Sequence, residues 1–150
     1  MMTPTKKNKP VVHTLMFVCM WFSIHACTQP GHPPEISGDI MQWHKVTLTF
    51  EGPEAAESDT INPFLDYRMT VTFSNGNETL VVPGYFAADG DAGNSGATTG
   101  NKWRCHFVPP GTGEWNWSVS FRSGPGIAID DLSTAGEACC FNGEAGSFTV

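Results

Sequence analysis

The chain has 150 residues and a formal net charge of −7. Only 15% of its residues are charged, against 16 glycines, 11 prolines and 17 aromatics (5 Trp, 2 Tyr, 10 Phe). That balance excludes a helical bundle or coiled coil, the apolar content excludes a disordered chain, and the length excludes a large multidomain enzyme.

Residues 1–26 read as a signal peptide. Lys6, Lys7 and Lys9 form a basic leader, and an apolar run from Val11 to Ile24 follows. At about 14 residues the run is short for a membrane span and has the length of a signal core. It ends in Ile24-His25-Ala26-Cys27, which resembles a bacterial lipobox with Cys27 as the lipidated residue. His25 is unusual there, and ordinary cleavage after Ala26 is the alternative. The expected location is therefore outside the cytoplasm, as a lipoprotein of a bacterial periplasm or cell surface, touching a membrane only through that anchor. Without the leader, 5 Lys+Arg face 15 Asp+Glu, so the formal charge becomes 5 − 15 = −10. Lys45, Arg68, Lys102, Arg104 and Arg122 read as singly scattered cations, and such a surface repels nucleic acid.

Residues 27–39, with Pro30, Pro33 and Pro34, read as a Pro-rich tether. Residues 40–150 carry period-2 patterns. Leu48 alternates with Thr47 and Thr49. Tyr67, Met69, Val71 and Phe73 share one face of a second run, and Thr79 to Pro83 forms a short apolar strand. Trp103, Cys105 and Phe107 alternate with Arg104 and His106; Trp115, Trp117, Val119 and Phe121 alternate with polar partners; Phe148 and Val150 start another run. Alternation with one polar face marks antiparallel strands packed on one side. Turns separate them at Ser74-Asn75-Gly76-Asn77 and at Pro109-Pro110-Gly111-Thr112-Gly113, the second joining the two Trp-bearing strands. About seven short strands in some 110 residues describe an all-β, immunoglobulin-like antiparallel sandwich.

Several of these segments resemble one family. Val46-Thr47-Leu48-Thr49-Phe50-Glu51-Gly52-Pro53 is similar to the opening strand of the bacterial domain of unknown function 5060, and Asn62-Pro63-Phe64-Leu65-Asp66-Tyr67-Arg68 to its next strand. Val82-Pro83-Gly84-Tyr85-Phe86 with Asp89-Gly90-Asp91 resembles its central turn. Trp103-Arg104, Phe107, Pro109, Gly113-Glu114-Trp115 and Ser120-Phe121-Arg122 resemble its closing hairpin. The resemblance runs from about Met41 to Val150. It implies an Ig-like domain of secreted glycoside hydrolase-like proteins, placed before an apiosidase-like barrel, and it brings no catalytic residues. No barrel pattern follows within these 150 residues, so the chain reads as a cut within a longer architecture.

The candidate sites are few. Cys105, Cys139 and Cys140 remain after export, an odd number; one disulfide from Cys105 to either member of the vicinal pair is one reading, buried free thiols another. His44 and His106 do not complete a zinc pattern. Asp89-Gly90-Asp91-Ala92-Gly93-Asn94 has alternating oxygen groups but lacks the closing carboxylate of a calcium loop, leaving a solvated Gly-rich loop as the expectation, with no metal and no cofactor. Trp103, Trp115 and Trp117 point inward by parity. Trp43 has the opposite parity to Val46 and Leu48, and Tyr85 and Phe86 cannot both point inward if extended. Trp43, Tyr85 and Phe86 are therefore the candidate contacts for a glycan or partner, with a role in covering the sandwich edge as the alternative. Glu51, Asp66 and Glu114 adjoin turns and suit structural hydrogen bonds rather than the paired carboxylates of glycoside hydrolysis. The expected function is a non-catalytic accessory module that packs on or orients a glycoside hydrolase-type catalytic domain. The alternative is a free-standing module that binds polysaccharide through exposed aromatics.

Overall fold

The computed structural model describes residues 32–76 and 78–150. Among these residues nine strands run in chain order: β1 (Glu35–Gly38), β2 (Val46–Ala56), β3 (Tyr67–Ser74), β4 (Thr79–Pro83), β5 (Tyr85–Phe86), β6 (Thr99–Phe107), β7 (Glu114–Ser123), β8 (Glu137–Ala138) and β9 (Ala145–Thr149). One helical turn, α1 (Ala92–Ser95), and one 3₁₀ turn, Ile127–Ile129, interrupt the loops. All pairings are antiparallel. They build a four-stranded sheet, β1-β2-β6-β5, and a five-stranded sheet, β4-β3-β7, in which β7 also pairs with β8 and β9. The all-β sandwich expected from alternation is the observed architecture.

The first sheet begins earlier than Ile40, because Glu35–Gly38 lies along β2 with Ile36 opposite Leu48. The segment 35–38, read as tether, is thus a strand. β2 also runs past Phe50, with a register shift between Glu51 and Ala55. Gly52 and Pro53 stand in that shift, where a residue without a side chain and one without an N–H are tolerated.

The connection from β6 to β7 is an arch rather than a hairpin. β6 belongs to the four-stranded sheet and β7 to the five-stranded one, so Pro109–Gly113 carries the chain across the core. Pro109 and Pro110 cannot donate to a ladder, which ends β6 there. The Trp115 indole N–H donates to the Gly111 carbonyl at 3.0 Å and pins the arch from beneath.

The two sheets meet through rings. Phe50 of β2 packs edge-on against Trp117 of β7, with ring centroids 5.8 Å apart. Phe107 of β6 meets Trp115 at 5.0 Å, and Trp103 meets Phe121 at 4.8 Å. Trp103, Trp115 and Trp117 are all buried, as their parity predicts. Such edge-to-face contacts add to the stabilisation from apolar burial.

Candidate functional site

A single glycine decides which way Tyr85 and Phe86 point. β4 ends at Pro83 in one sheet and β5 starts at Tyr85 in the other, so the chain changes sheets at Gly84. The Gly84 N–H donates to the Met69 carbonyl at 2.9 Å, and a Cβ there would lie 2.6 Å from Met69 Cγ. Only glycine allows that approach. With the backbone held, alternation sends Phe86 inward, 5% exposed, and Tyr85 outward, 42% exposed. Phe86 is therefore removed from the contact candidates: it packs on Trp103 with centroids 5.2 Å apart.

Tyr85 lies on the outer face of the four-stranded sheet, opposite Arg104 in the register. Its hydroxyl is 2.8 Å from His106 Nε2, and His106 Nδ1 is 2.9 Å from the Thr47 hydroxyl. One ring nitrogen donates and the other accepts, so the imidazole links β5 to β2 across β6. Beside it Arg104 Nε donates to the Thr49 hydroxyl at 3.1 Å. These two long side chains cover Thr47 and Thr49, which is why both threonines are buried although they face away from the core. Burial lowers the His106 pKa from its ordinary value, and the charges of Lys45 and Arg104 lower it further.

The cations read as scattered are gathered by strand register. Arg104 stands opposite Thr49, Lys102 opposite Glu51 and His106 opposite Thr47. Lys102 pairs with the Glu51 carboxylate, which holds that carboxylate's pKa below its usual range. Arg104 and Lys45 have no ion pair among the described residues. Arg104 and His106 already alternate with the core residues Trp103, Cys105 and Phe107 in the sequence, so their shared face was available as a signal; Lys45 was not, because its place depends on pairing.

Trp43 stands at the far end of the same strand. It lies outside any strand, is 67% exposed and adopts a left-handed backbone with φ of 65°. Its N–H donates to the Pro109 carbonyl at 3.0 Å. Pro109 lies five positions beyond Arg104, roughly 17 Å at strand spacing. Trp43 and Tyr85 are thus kept exposed at separate points along β6 rather than brought into one pocket.

A model of the family described as "Domain of unknown function (DUF5060)" matches residues 39–122, more than half of the chain. The chain belongs to that family. A search of curated proteins finds no match. Among solved structures, the chain is similar to a Bacteroides vulgatus protein described as a "putative glycoside hydrolase", with 25% identity and a TM-score of 0.45. That overlap covers 72% of this chain and 15% of the other, so the chain spans a small part of that protein's length.

The DUF5060 match contains Trp43, Lys45, Tyr85, Arg104 and His106. A second exposed surface lies partly within it, with Ile129 and Leu132 beyond residue 122. At the end of the sandwich where β3 begins, Asp66 joins two loops. Its carboxylate accepts from the Asn62 N–H at 2.8 Å and from the Gly126 N–H at 2.9 Å. The Ala128 N–H donates to the Leu65 carbonyl at 2.9 Å. On these joined loops Ile61, Phe64, Leu65, Ile129 and Leu132 stay exposed. No sequence parity marks this patch, because it lies in irregular segments far apart in the chain.

The remaining candidates are placed as follows. Cys105 is a buried free thiol on the inner face of β6, with Sγ 4.0 Å from the Val82 carbonyl and its pKa pushed up to about 12 by burial. The Cys139 and Cys140 sulfurs lie 3.3 Å apart beside the five-stranded sheet. Cys27 lies outside the described residues. The Asp89 loop closes on itself: Asp89 Oδ1 accepts from the Asp91 N–H and Asp91 Oδ1 from the Asn94 amide, each at 2.8 Å. No group of three His, Cys, Asp or Glu residues suited to a metal occurs among the described residues. Nor, among them, is any helix long and apolar enough to cross a membrane.

Proposed function

We propose that this DUF5060 domain is a non-catalytic accessory module of an exported bacterial carbohydrate-active system, docking on a glycoside hydrolase-type catalytic domain. The observation that carries this reading is the patch of Ile61, Phe64, Leu65, Ile129 and Leu132. Five large apolar side chains are held out to solvent on loops that Asp66 and Arg68 lock in place. Rigid exposed apolar surface costs free energy unless a partner covers it. The carboxylates support the reading in a second way. Asp66 accepts backbone hydrogen bonds and Glu51 is paired with Lys102, which are structural tasks. Export through the leader, with Cys27 as lipid anchor, belongs to the same proposal.

The test mixes the chain with the catalytic domain of a DUF5060-containing protein in analytical ultracentrifugation. Association is expected, and Ile129→Asp with Leu132→Asp should abolish it while thermal unfolding stays cooperative. Hydrolysis of chromogenic glycosides by the chain alone would overturn the reading. So would association that survives both substitutions. Labelling of cells with tritiated palmitate should tag the chain and fail with Cys27→Ser.

A second reading, a polysaccharide-binding module, is favoured by one observation. Tyr85 is fixed by His106 with its ring exposed, and Trp43 is held out by a strained backbone. Retardation in affinity gels that is lost on Tyr85→Ala or Trp43→Ala supports it, whereas unretarded migration on every glycan removes it.

A further inference from the structure

We infer that the outer face of the four-stranded sheet binds an anionic polysaccharide, with Arg104 and Lys45 reading the carboxylates of uronate residues. The inference rests on the second reading above and adds the ligand's chemical class.

Charge on this domain is unevenly used. Among the described residues there are five Lys and Arg side chains. Arg68 and Arg122 are consumed by backbone carbonyls, and Lys102 by Glu51. The two that remain, Arg104 and Lys45, both lie beside His106, whose pKa both of them lower. Arg104 spends only Nε, on the Thr49 hydroxyl. Its two terminal nitrogens have no hydrogen-bond partner among the described residues. That leaves the edge of the guanidinium suited to a planar carboxylate, while Thr49 fixes the side chain's direction.

The neighbouring chemistry matches a sugar better than an acidic peptide. Tyr85 stands directly across from Arg104 in the register and is tied at its hydroxyl, so its ring is a fixed, half-exposed platform one strand from the guanidinium. An aromatic face beside a carboxylate-reading arginine accommodates a pyranose ring and its C6 carboxylate together. Farther along β6, Lys45 and Trp43 supply another cation and another exposed aromatic, so the face is extended rather than a closed pocket. Extended, flat geometry suits a polymer. The acidic groups close by are Glu35, in the same register row as Arg104 with Thr49 between them, Asp39, which pairs with His44 next to Lys45, Glu51, which Lys102 neutralises, and Asp89, which feels Arg104 only as a minor influence on its lowered pKa.

The full chain is run in native gels containing polygalacturonate, the same polymer after methyl esterification, or polyglutamate at equal charge density. Polygalacturonate should retard it, and esterification should weaken binding at least tenfold, about the worth of one charge-assisted bond. Arg104→Gln should weaken binding tenfold or more without moving the urea midpoint, Lys45→Gln less, and Tyr85→Ala should weaken acid and esterified polymers alike. Equal affinity for acid and ester overturns the role of Arg104 but leaves glycan binding standing. Retardation by polyglutamate as strong as by polygalacturonate overturns the choice of a sugar. No retardation by any polymer overturns both this inference and the reading beneath it.

Discussion

Arginines on the two sheets do opposite jobs. On the five-stranded sheet Arg68 and Arg122 face each other directly across β3 and β7, an arrangement that repels unless each charge is satisfied. Both are satisfied by carbonyls. Arg68 donates to Ile127 at 3.3 Å, Asp130 at 2.7 Å and Leu132 at 2.8 Å. Arg122 donates to Ala135 at 2.7 Å, Thr134 at 2.9 Å and also Gly136. The segment between the 3₁₀ turn and β8 has little regular structure of its own, and the two guanidinium groups hold it as a ladder would. On the four-stranded sheet Arg104 makes one hydrogen bond among the described residues, to a side chain, and its terminal nitrogens donate to none of them. The same residue type on an outward strand position is structural where carbonyls converge on it and available where they do not. Sequence context cannot separate these cases, since Arg68, Arg104 and Arg122 all alternate with core residues.

The largest contrast should appear within β6 itself, whose outward positions are open and whose inward ones are sealed. Cys105 lies between Arg104 and His106, yet burial pushes the pKa of its thiol up to about 12. Near pH 8 its thiolate fraction is about a thousandfold below that of an exposed thiol. Iodoacetamide should therefore leave Cys105 unmodified in the native chain and label it after unfolding in urea, as read by peptide mass mapping. The raised pKa contributes stability that is present below pH 9 and lost as pH climbs toward 12. Rapid native labelling of Cys105 would mean that the inner face of this sheet opens readily, and the contrast between its two faces would fail.

Next in size is the contrast between the arginines. Arg122→Met should destabilise the fold by about 2–4 kcal/mol, because it leaves carbonyls that had a charged donor without one. Arg68→Met should do nearly as much. Arg104→Met should cost no more than about 0.5 kcal/mol, having one side-chain bond to lose. Urea midpoints of the three variants decide it. A cost for Arg104→Met equal to that for Arg122→Met would show that both guanidinium groups are structural, and would remove the ground for a binding face.

How far all this was legible in the amino-acid sequence depends on the range of the interaction. Period-2 alternation located β2, β3, β6 and β7 and turned the tryptophans inward, because the side-chain direction of a strand is a local property; β4 showed only as a short apolar run. The same reasoning showed that Tyr85 and Phe86 must diverge, and Gly84 then settled which goes in. β1 escaped because four residues among prolines have no alternation to display; it exists through pairing with β2. The arch at Pro109–Gly113 passes for a hairpin because both end in the same residues, and only sheet membership tells them apart. Arg104 and His106 share a face by local parity, but their company with Lys45, Tyr85 and Thr47 comes from register across three strands. The apolar loops around Asp66 are joined by hydrogen bonds between residues about 60 positions apart, where no pattern in either segment announces the other.

The smallest predicted effect sits on His106, where the two kinds of surface meet. Its ring is tied to Thr47 and Tyr85, and its pKa is lowered first by burial and then by Lys45 and Arg104. A histidine depressed in the fold binds fewer protons there than in the unfolded chain. Stability is therefore full above pH 6.5 and declines as pH falls through 6.5 toward the folded value. His106→Gln, which can still bond both hydroxyls, should flatten that decline. Lys45→Gln and Arg104→Gln should each raise the midpoint of the His106 ring signal in an NMR titration, with the larger share of the depression persisting because burial is its first cause. A midpoint at or above 6.5 in the native chain would contradict the assignment. Anionic polymer on this face should act in the opposite direction from its cations, drawing the midpoint upward. Glycan affinity should correspondingly strengthen as pH drops through it, while the uronates remain ionised. A polymer that binds without moving the His106 midpoint must sit elsewhere, on the apolar end of the sandwich or at Trp43, and the open guanidinium of Arg104 would then need another explanation.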